Sequence, residues 1–258
     1  MSLRAEHVGL VRGGKRLVDG VDLEICPGEM VAVIGPNGAG KTSLLRLLSG
    51  ELACDSGRVL LDGERLAAVS LAERARRLAV LPQQSMLEFP FLAEEVVAMG
   101  LTPWGSSQQA GVVAEVMAML GCRSLAGRVY TTLSGGERQR VQLARVFAQV
   151  WTTPGYLLLD EPTAPLDLAH QLVVLSALRT MSSRGAAVLL VMHDINLAAR
   201  FVDRLLLLSR GTAAALGTPA EVLAGDRVGQ AFGVSVERLL TAAGVPQLVA
   251  HPGPGTDE

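Results

Sequence analysis

The stretch Val31–Thr42, "VAVIGPNGAGKT", decides how this chain is read. A short apolar run ends in a glycine-rich turn and passes into a helical pattern, which predicts a buried strand, a loop and a helix start. Gly35–Thr42 fits G-x-x-x-x-G-K-[ST] without a mismatch. In such a loop, glycines let successive backbone N–H groups turn inward around phosphate oxygens. The helix that follows points its positive end at the same anion. Gly35, Pro36, Asn37, Gly38, Ala39 and Gly40 are the expected cradle. Lys41 is the expected cation for the β- and γ-phosphates, and Thr42 a hydroxyl ligand for Mg²⁺. Ser43 adds a bond to an earlier phosphate. The alternative, a Gly-rich turn that binds nothing, does not account for a strand before, a helix after and Lys-Thr in place. By itself the loop specifies a nucleoside triphosphate and says nothing of its use.

Other apolar runs end in polar side chains. Tyr156–Leu159 runs into Asp160-Glu161, and a strand buried on both faces has no reason to end in two carboxylates unless they project into a site at the sheet's C-terminal edge. Asp160 is suited to hold Mg²⁺, directly or one shell out, and Glu161 to polarise an attacking water. His193 closes "VLLVMHD" on the same edge, placed to sense a γ-phosphate, and Gln83 follows "LAVLP", where a neutral amide can ligate Mg²⁺ or position water. Taken singly, each has a commoner structural reading: a chance acidic strand end, a core histidine, a solvated loop amide. The phosphate loop beside them shifts the balance.

A third signal is Leu133–Arg140, "LSGGERQR". Ser134 and Glu137 can form a capping box that starts a helix. Gly135 and Gly136 are unexplained by that, because glycine is costly in a helical turn. Bare N–H groups at a helix N-terminus form an anion site from which side chains would exclude a phosphate. The chain already carries one phosphate loop, so this second half-site is best explained by a nucleotide held on another copy.

With 258 residues, 49% hydrophobic, the chain can bury a full core in one large domain or two unequal lobes. A net charge of −2 and 3% aromatic residues exclude a basic, ring-studded nucleic-acid surface. Arg74, Arg76 and Arg77 read as a solvated helix face. Cys26, Cys54 and Cys122 match no zinc or disulfide spacing and read as reduced cytosolic thiols. No signal core is visible at the N-terminus, and the longest apolar runs fall short of the roughly 20 residues of a membrane helix. A soluble chain is expected, reaching a membrane only through a partner.

Strands are predicted at Met30–Ile34, Leu78–Leu81, Tyr156–Leu159, Ala187–Met192 and Arg204–Leu208, with helices at Lys41–Ser49, Gly136–Gln149, Leu168–Met181 and Ile195–Phe201. Continuous apolar strands alternating with helices predict an α/β sheet covered on both faces. Residues 87–127 carry two helical patterns, Ala93–Gly100 and Gln108–Leu120, around "TPWGSS" and no convincing strand, so they read as a helical insertion. From Gly211 onward come a weak strand and the helix-like "TPAEVL", followed by an unreadable C-terminal part and a Gly/Pro-rich tail.

This assembly resembles the nucleotide-binding subunit of ABC transporters over roughly residues 3–220. The family's motifs stand in its order: Walker A at Gly35–Thr42, Q-loop at Gln83, signature at Leu133, Ser134, Gly135, Gly136 and Glu137, Walker B at Leu157–Glu161, D-loop at Asp167 and switch histidine at His193. Walker A alone is shared by many NTPases; together with LSGGE ahead of Walker B it is highly specific. The resemblance implies a P-loop NTPase core with a parallel sheet flanked by helices, an N-terminal antiparallel β region and an inserted helical subdomain. The implied division is a core of about 1–86 and 128–220, a helical subdomain of about 87–127 and a C-terminal extension of about 221–258. Within the family, "PQQSMLEFPFLAEEVVAMG" and "MHDINLAAR" look like the importers of iron-siderophores, haem and cobalamin. Haem is the implied cargo, with ferric siderophore or cobalamin as alternatives.

Two departures stand out. The family's adenine-stacking aromatic is replaced at the aligned position by Arg12, whose guanidinium plane can also stack on a base. Pro165 occupies a D-loop position where a small residue is usual.

The expected chemistry is attack of water on the γ-phosphate of ATP without a covalent intermediate: Lys41 and Mg²⁺, held by Thr42, Gln83 and Asp160, offset charge, Glu161 deprotonates the water, and His193 holds the γ-phosphate end. The implied partners are a second, head-to-tail copy, two membrane permease subunits docking near Gln83, Phe89 and Phe91, and indirectly a substrate-binding protein, at the cytoplasmic face of the inner membrane. No nucleic acid is expected. Competing readings are a soluble ABC protein of DNA repair or translation, a P-loop kinase and a subunit with a dead site. The first lacks its coiled coil or tandem cassette, the second has no use for LSGGE, and intact Lys41, Asp160 and Glu161 oppose the third.

Overall fold

The computed structural model describes residues 1–83, 87–105 and 111–252. Its strands are β1 (Leu3–Arg12), β2 (Lys15–Ile25), β3 (Met30–Ile34), β4 (Ser56–Leu61), β5 (Glu64–Arg65), β6 (Leu78–Leu81), β7 (Tyr156–Asp160), β8 (Ala187–Val191), β9 (Arg204–Ser209), β10 (Thr212–Gly217), β11 (Val234–Leu240) and β12 (Pro246–Pro252). The α-helices are α1 (Lys41–Ser49), α2 (Leu71–Arg77), α3 (Ala93–Ala98), α4 (Val112–Met119), α5 (Gly135–Gln149), α6 (Leu168–Ser183), α7 (Ile195–Phe201), α8 (Pro219–Ala224) and α9 (Arg227–Phe232).

The central sheet runs β10-β9-β3-β8-β7-β6, with β9, β3, β8, β7 and β6 parallel and β10 antiparallel at one edge. Every residue of β3, β7 and β8 is buried, which is why these strands are continuous apolar runs: both faces are covered and neither has to meet water. Two layers of core sit on the two faces of this sheet. One contains Met30, Ala32 and Ile34 with the helical residues Val96, Val116, Phe147 and Leu178; the other contains Val31 and Val33 with Leu44, Leu47 and the N-terminal strands. Those strands form a second, antiparallel sheet in the order β2-β1-β4-β5. The fold is therefore α/β, with a mostly parallel sheet flanked by helices and an antiparallel N-terminal sheet.

Register places the functional edge. Leu81 lies opposite Leu159, and Asp160 and Val33 both lie opposite Val191. The residues that follow these strand ends, Gln83, Glu161, His193 and the loop after Ile34, are thereby collected along one C-terminal edge, where α/β sheets place their ligands.

Helix α4 begins at Val112; the part of the expected Gln108–Leu120 pattern before residue 111 lies outside the described residues, as does Gln84 beside the Q-loop. The arginine cluster lies on α2, which buries none of its residues, and its side chains also reach back onto neighbouring segments. Arg74 bonds the carbonyls of Gly50 and Leu66, Arg76 bonds that of Pro103, and Arg77 pairs with Glu73 and Asp62. A helix whose polar arms reach back onto its neighbours is anchored by them, a choice invisible to periodicity. The C-terminal hairpin β11–β12 docks on α7 through the Asn196 amide, which donates to the Leu248 carbonyl at 2.9 Å and accepts from its N–H at 2.8 Å. Among the described residues no helix is long and apolar enough to cross a membrane.

Candidate nucleotide site

Residues 37–43, Leu17, Gln83, Glu161 and His193 line one open cavity of about 260 Å³. Gly40, at φ 102°, explains part of the loop's composition, since a side chain there would run into the Leu17 carbonyl. The Lys41 ammonium, on the first residue of α1, donates to the carbonyls of Gly35 at 2.8 Å and Pro36 at 3.0 Å. Burial holds its pKa below the ordinary lysine value, against the opposing pull of Glu161 and Asp160. An ammonium bound only to neutral carbonyls in a half-buried loop is a cation in want of an anion.

Asp160 ends β7 at 2% exposure. Its Oδ1 is buried without a hydrogen-bond partner among the described residues, and burial raises its pKa, with the Thr42 hydroxyl acting in the opposite direction and Glu161 adding to the rise. A buried carboxylate oxygen left unpaired in this way is costly unless a cation meets it. Among the described residues no three His, Cys, Asp or Glu side chains converge into a metal cage. The Asp160 carboxylate and the Thr42 hydroxyl are oxygen donors of the kind that suit Mg²⁺, which commonly takes one or two protein ligands and completes its shell with water and phosphate.

Glu161 is the next residue, and its backbone is left-handed at φ 51°. For a non-glycine residue this conformation costs on the order of 1–3 kcal/mol and persists only where surroundings hold it. What it accomplishes is directional: the carboxylate turns out of the sheet into the cavity, where Oε1 lies 2.6 Å from Nε2 of His193. Acid, histidine, lysine and glutamine are thus brought together around one space. Pro36, Gly35 and Asp160 stand just behind its lining, bonding Lys41 or lying beneath the loop.

Arg12 is not among the lining residues. Its Nη1 donates to the Val11 carbonyl at 2.7 Å and to Asp55 at 3.2 Å, so an acidic partner 43 residues away engages the guanidinium expected beside the base. The neighbouring strand β2 offers Leu17 to the cavity instead. Nothing in its sequence neighbourhood marks Leu17 out.

The signature lies apart from this cavity. Ser134 and Glu137 form the expected capping box at the start of α5, and Arg128 pairs with Glu137 at 2.9 Å. Leu133 is buried. Neither Gly135 nor Gly136 has a positive φ. Beyond its own helical turn, a side chain at Gly135 would meet no atom of the described residues within 4 Å, whereas one at Gly136 would touch the Pro165 carbonyl oxygen at 3.3 Å. Asp167 caps α6 by accepting from the His170 N–H at 2.9 Å, and the His170 ring Nδ1 lies 2.8 and 2.9 Å from its two oxygens. These bonds hold the Asp167 carboxyl below the usual carboxylate range. His170 was not among the expected site residues; its spacing three positions after a helix-capping aspartate is the signal that could have found it.

The sequence profile of the ABC transporter family matches residues 18–164. The chain belongs to the ABC transporter family. It is an ATP-binding, ATP-hydrolysing member, because the profile covers the phosphate loop and the acidic strand end whose geometry is given above. Three similar proteins are all hemin import ATP-binding proteins HmuV. That of Pseudomonas fluorescens Pf-5 is 53% identical over 238 residues, covering 91% of this chain and 93% of its own. The Pseudomonas aeruginosa protein is 52% identical with the same coverage, and that of Myxococcus xanthus is 48% identical, covering 98% of this chain and 96% of its own. Among solved structures, a chain of an inward-facing metal-chelate type ABC transporter superposes with a TM-score of 0.81 at 25% identity, covering 97% of each chain. A nucleotide-free ATP-binding cassette, 22% identical, shares the fold with a TM-score of 0.76 over 88% of this chain and 97% of its own.

Proposed function

We propose that this ABC ATPase powers import of haem through a membrane permease, acting as a head-to-tail pair on the cytoplasmic face of the inner membrane. The single observation that carries the cargo is the near-full-length similarity to hemin import ATP-binding proteins, about half of all positions over nine-tenths of the chain. Reconstituting the chain with candidate permeases and measuring ATP-dependent uptake of haem, ferric siderophore and cobalamin tests it. Uptake of haem alone is the expected result, and uptake of another cargo with none of haem overturns the assignment.

At the site, the roles follow from position. The loop N–H groups and Lys41 bind the phosphates, and Lys41 exchanges its carbonyl partners for phosphate oxygens. Thr42, Asp160 and Gln83 would hold Mg²⁺, which when bound would supply charge neutralisation at the phosphates. Glu161 takes the proton of the attacking water. His193, already in contact with Glu161, holds that carboxylate in place and faces the γ-phosphate end. Asp167 and the bare N–H groups of Gly135 and Gly136, with Ser134 beside them, complete the site from the second copy; the Ser134 N–H itself donates to Glu137 at 2.8 Å.

The buried charge of Asp160 gives one test. Its raised pKa means that the folded chain binds the proton more tightly than the unfolded one, so stability falls as pH rises through the carboxylate range toward the shifted value. Asp160→Asn removes that penalty. Its nucleotide-free Tm is expected to exceed wild type by about 2–4 °C at pH 7.5, where a gain near 1 kcal/mol has that size, with no advantage below the ordinary carboxylate range. The extra stabilisation that Mg²⁺ gives ATP-bound wild type is expected to vanish. A Tm that falls instead would show that the carboxylate is not a net cost.

The permease surface gives another. Phe89 is 69% exposed and Phe91 36%, their rings 6.1 Å apart beside Gln83 in sequence. Paired exposed aromatics are the residue type that anchors interfaces. Phe89→Ala is expected to leave Tm and the isolated chain's ATPase unchanged and to reduce copurification with the permease at least about tenfold. Unaltered copurification would remove Phe89 from the docking surface.

A further inference from the structure

We propose that a second cavity, at the end of α1 away from the phosphate loop, binds a small organic anion with an apolar body, such as an aryl or alkyl carboxylate. The cavity measures about 260 Å³, below the roughly 300–1,000 Å³ of drug-sized sites, so its occupant is a small one. Leu47, Leu52, Val59 and Leu66 form apolar walls, and Arg58, Arg65 and Arg74 stand in the same lining. Among the described residues only Arg58 of the three has a carboxylate, Glu6 at 2.6 Å. Arg65 has no ion pair there, and Arg74 is held by the backbone carbonyls of Gly50 at 3.3 Å, Leu66 at 2.8 Å and Val69 at 3.4 Å.

Three arginines against one carboxylate leave a cationic surplus beside apolar walls. A guanidinium meets carboxylates with paired, charge-assisted bonds. A carboxylate whose hydrocarbon part lies on the leucines answers both the charge and the apolar walls; inorganic phosphate leaves the apolar walls unused. The site is separate from the nucleotide cavity. The two share no lining residue and sit at opposite ends of α1, a helix whose nine residues span about 14 Å. Lys41 and Thr42 head the helix whose last turn carries Leu47 into this wall, so an occupant here touches the same rigid element that holds the phosphates.

Cys54, half-buried in the lining, provides a reporter. The test uses the full chain with exposed Cys26 replaced by Ser; Cys122 is buried. With 4-phenylbutyrate as probe, calorimetric titration is expected to give saturable one-to-one binding with a Kd on the order of 1 mM or tighter. The same concentrations are expected to slow maleimide alkylation of Cys54, and saturating ATP is expected not to displace the probe. Arg65→Gln, at an exposed position that folding does not need, is expected to weaken the probe about tenfold or more, as is the neutral amide of the probe on the unaltered chain. Absence of saturable binding overturns the proposal. So do equal binding by the Arg65→Gln variant or of the amide, an unchanged Cys54 rate, displacement by ATP, or inorganic phosphate binding as tightly as the probe.

Discussion

Glu161→Gln is expected to lower ATP turnover by about 10²–10⁴-fold, the range that a positioned general base supplies, while leaving ATP binding intact. The carboxylate is aimed into the cavity by a backbone at φ 51°, and Gln carries the same shape through the same conformation, so the substitution removes the base and not the fold. His193 lies 2.6 Å from Glu161 and retains a partner in the amide. Because ATP still binds and is no longer consumed, the variant is expected to accumulate as an ATP-bound dimer, visible by size-exclusion chromatography with Mg·ATP. Its thermal stabilisation by ATP is expected to equal or exceed that of wild type, since a ligand at 100 times its Kd contributes about 2.7 kcal/mol. Turnover within a few-fold of wild type would place the base elsewhere.

How far the sequence speaks depends on where each residue's partners are. Strand β3 and helices α1 and α7 match their predicted bounds residue for residue, and β7, β8 and β9 match to one residue, because doubly buried strands and glycine- or Asp-capped helices carry their signals locally. The N-terminal strands do not. Pairing along β1 is broken by register shifts, and His7 sits at φ 50° within it, so the alternation that would announce a strand is interrupted. The hairpin β11–β12 is mostly exposed on both faces and has no inside–outside contrast to read.

The same rule governs the site. Lys41, Thr42, Asp160, Glu161 and His193 could be placed from the ends of their own strands and helix, since parallel register carries strand ends to one edge. Arg12 and Leu17 could not. Whether Arg12 faces a base depends on Asp55, and no local pattern encodes a pairing across that separation. The orientation of Arg74 is likewise set by three carbonyls outside its helix, those of Gly50, Leu66 and Val69.

The glycine at 135 gives the second large effect, and its sign differs between stability and activity. Gly135 opens α5 without a positive φ, and beyond its own helical turn a side chain there would meet nothing within 4 Å among the described residues. No contact among those residues therefore asks for glycine, which costs a helix interior roughly 0.5–1 kcal/mol relative to Ala. Gly135→Asp adds a carboxylate to the positive end of a helix, where an isolated chain gains from it, so its Tm is expected to stay level or rise by about 2 °C. ATP binding to the chain's own phosphate loop is expected to change less than twofold, because residue 135 does not line that cavity. ATP turnover, in contrast, is expected to fall at least about 100-fold, the scale of losing one donor aimed at a reacting phosphate, since the new carboxylate would face the nucleotide of the second copy. A stable, ATP-binding, inactive chain is a combination that a purely structural role for Gly135 does not produce. Wild-type turnover in Gly135→Asp would mean that no phosphate approaches this helix, and the head-to-tail pairing would have to be abandoned.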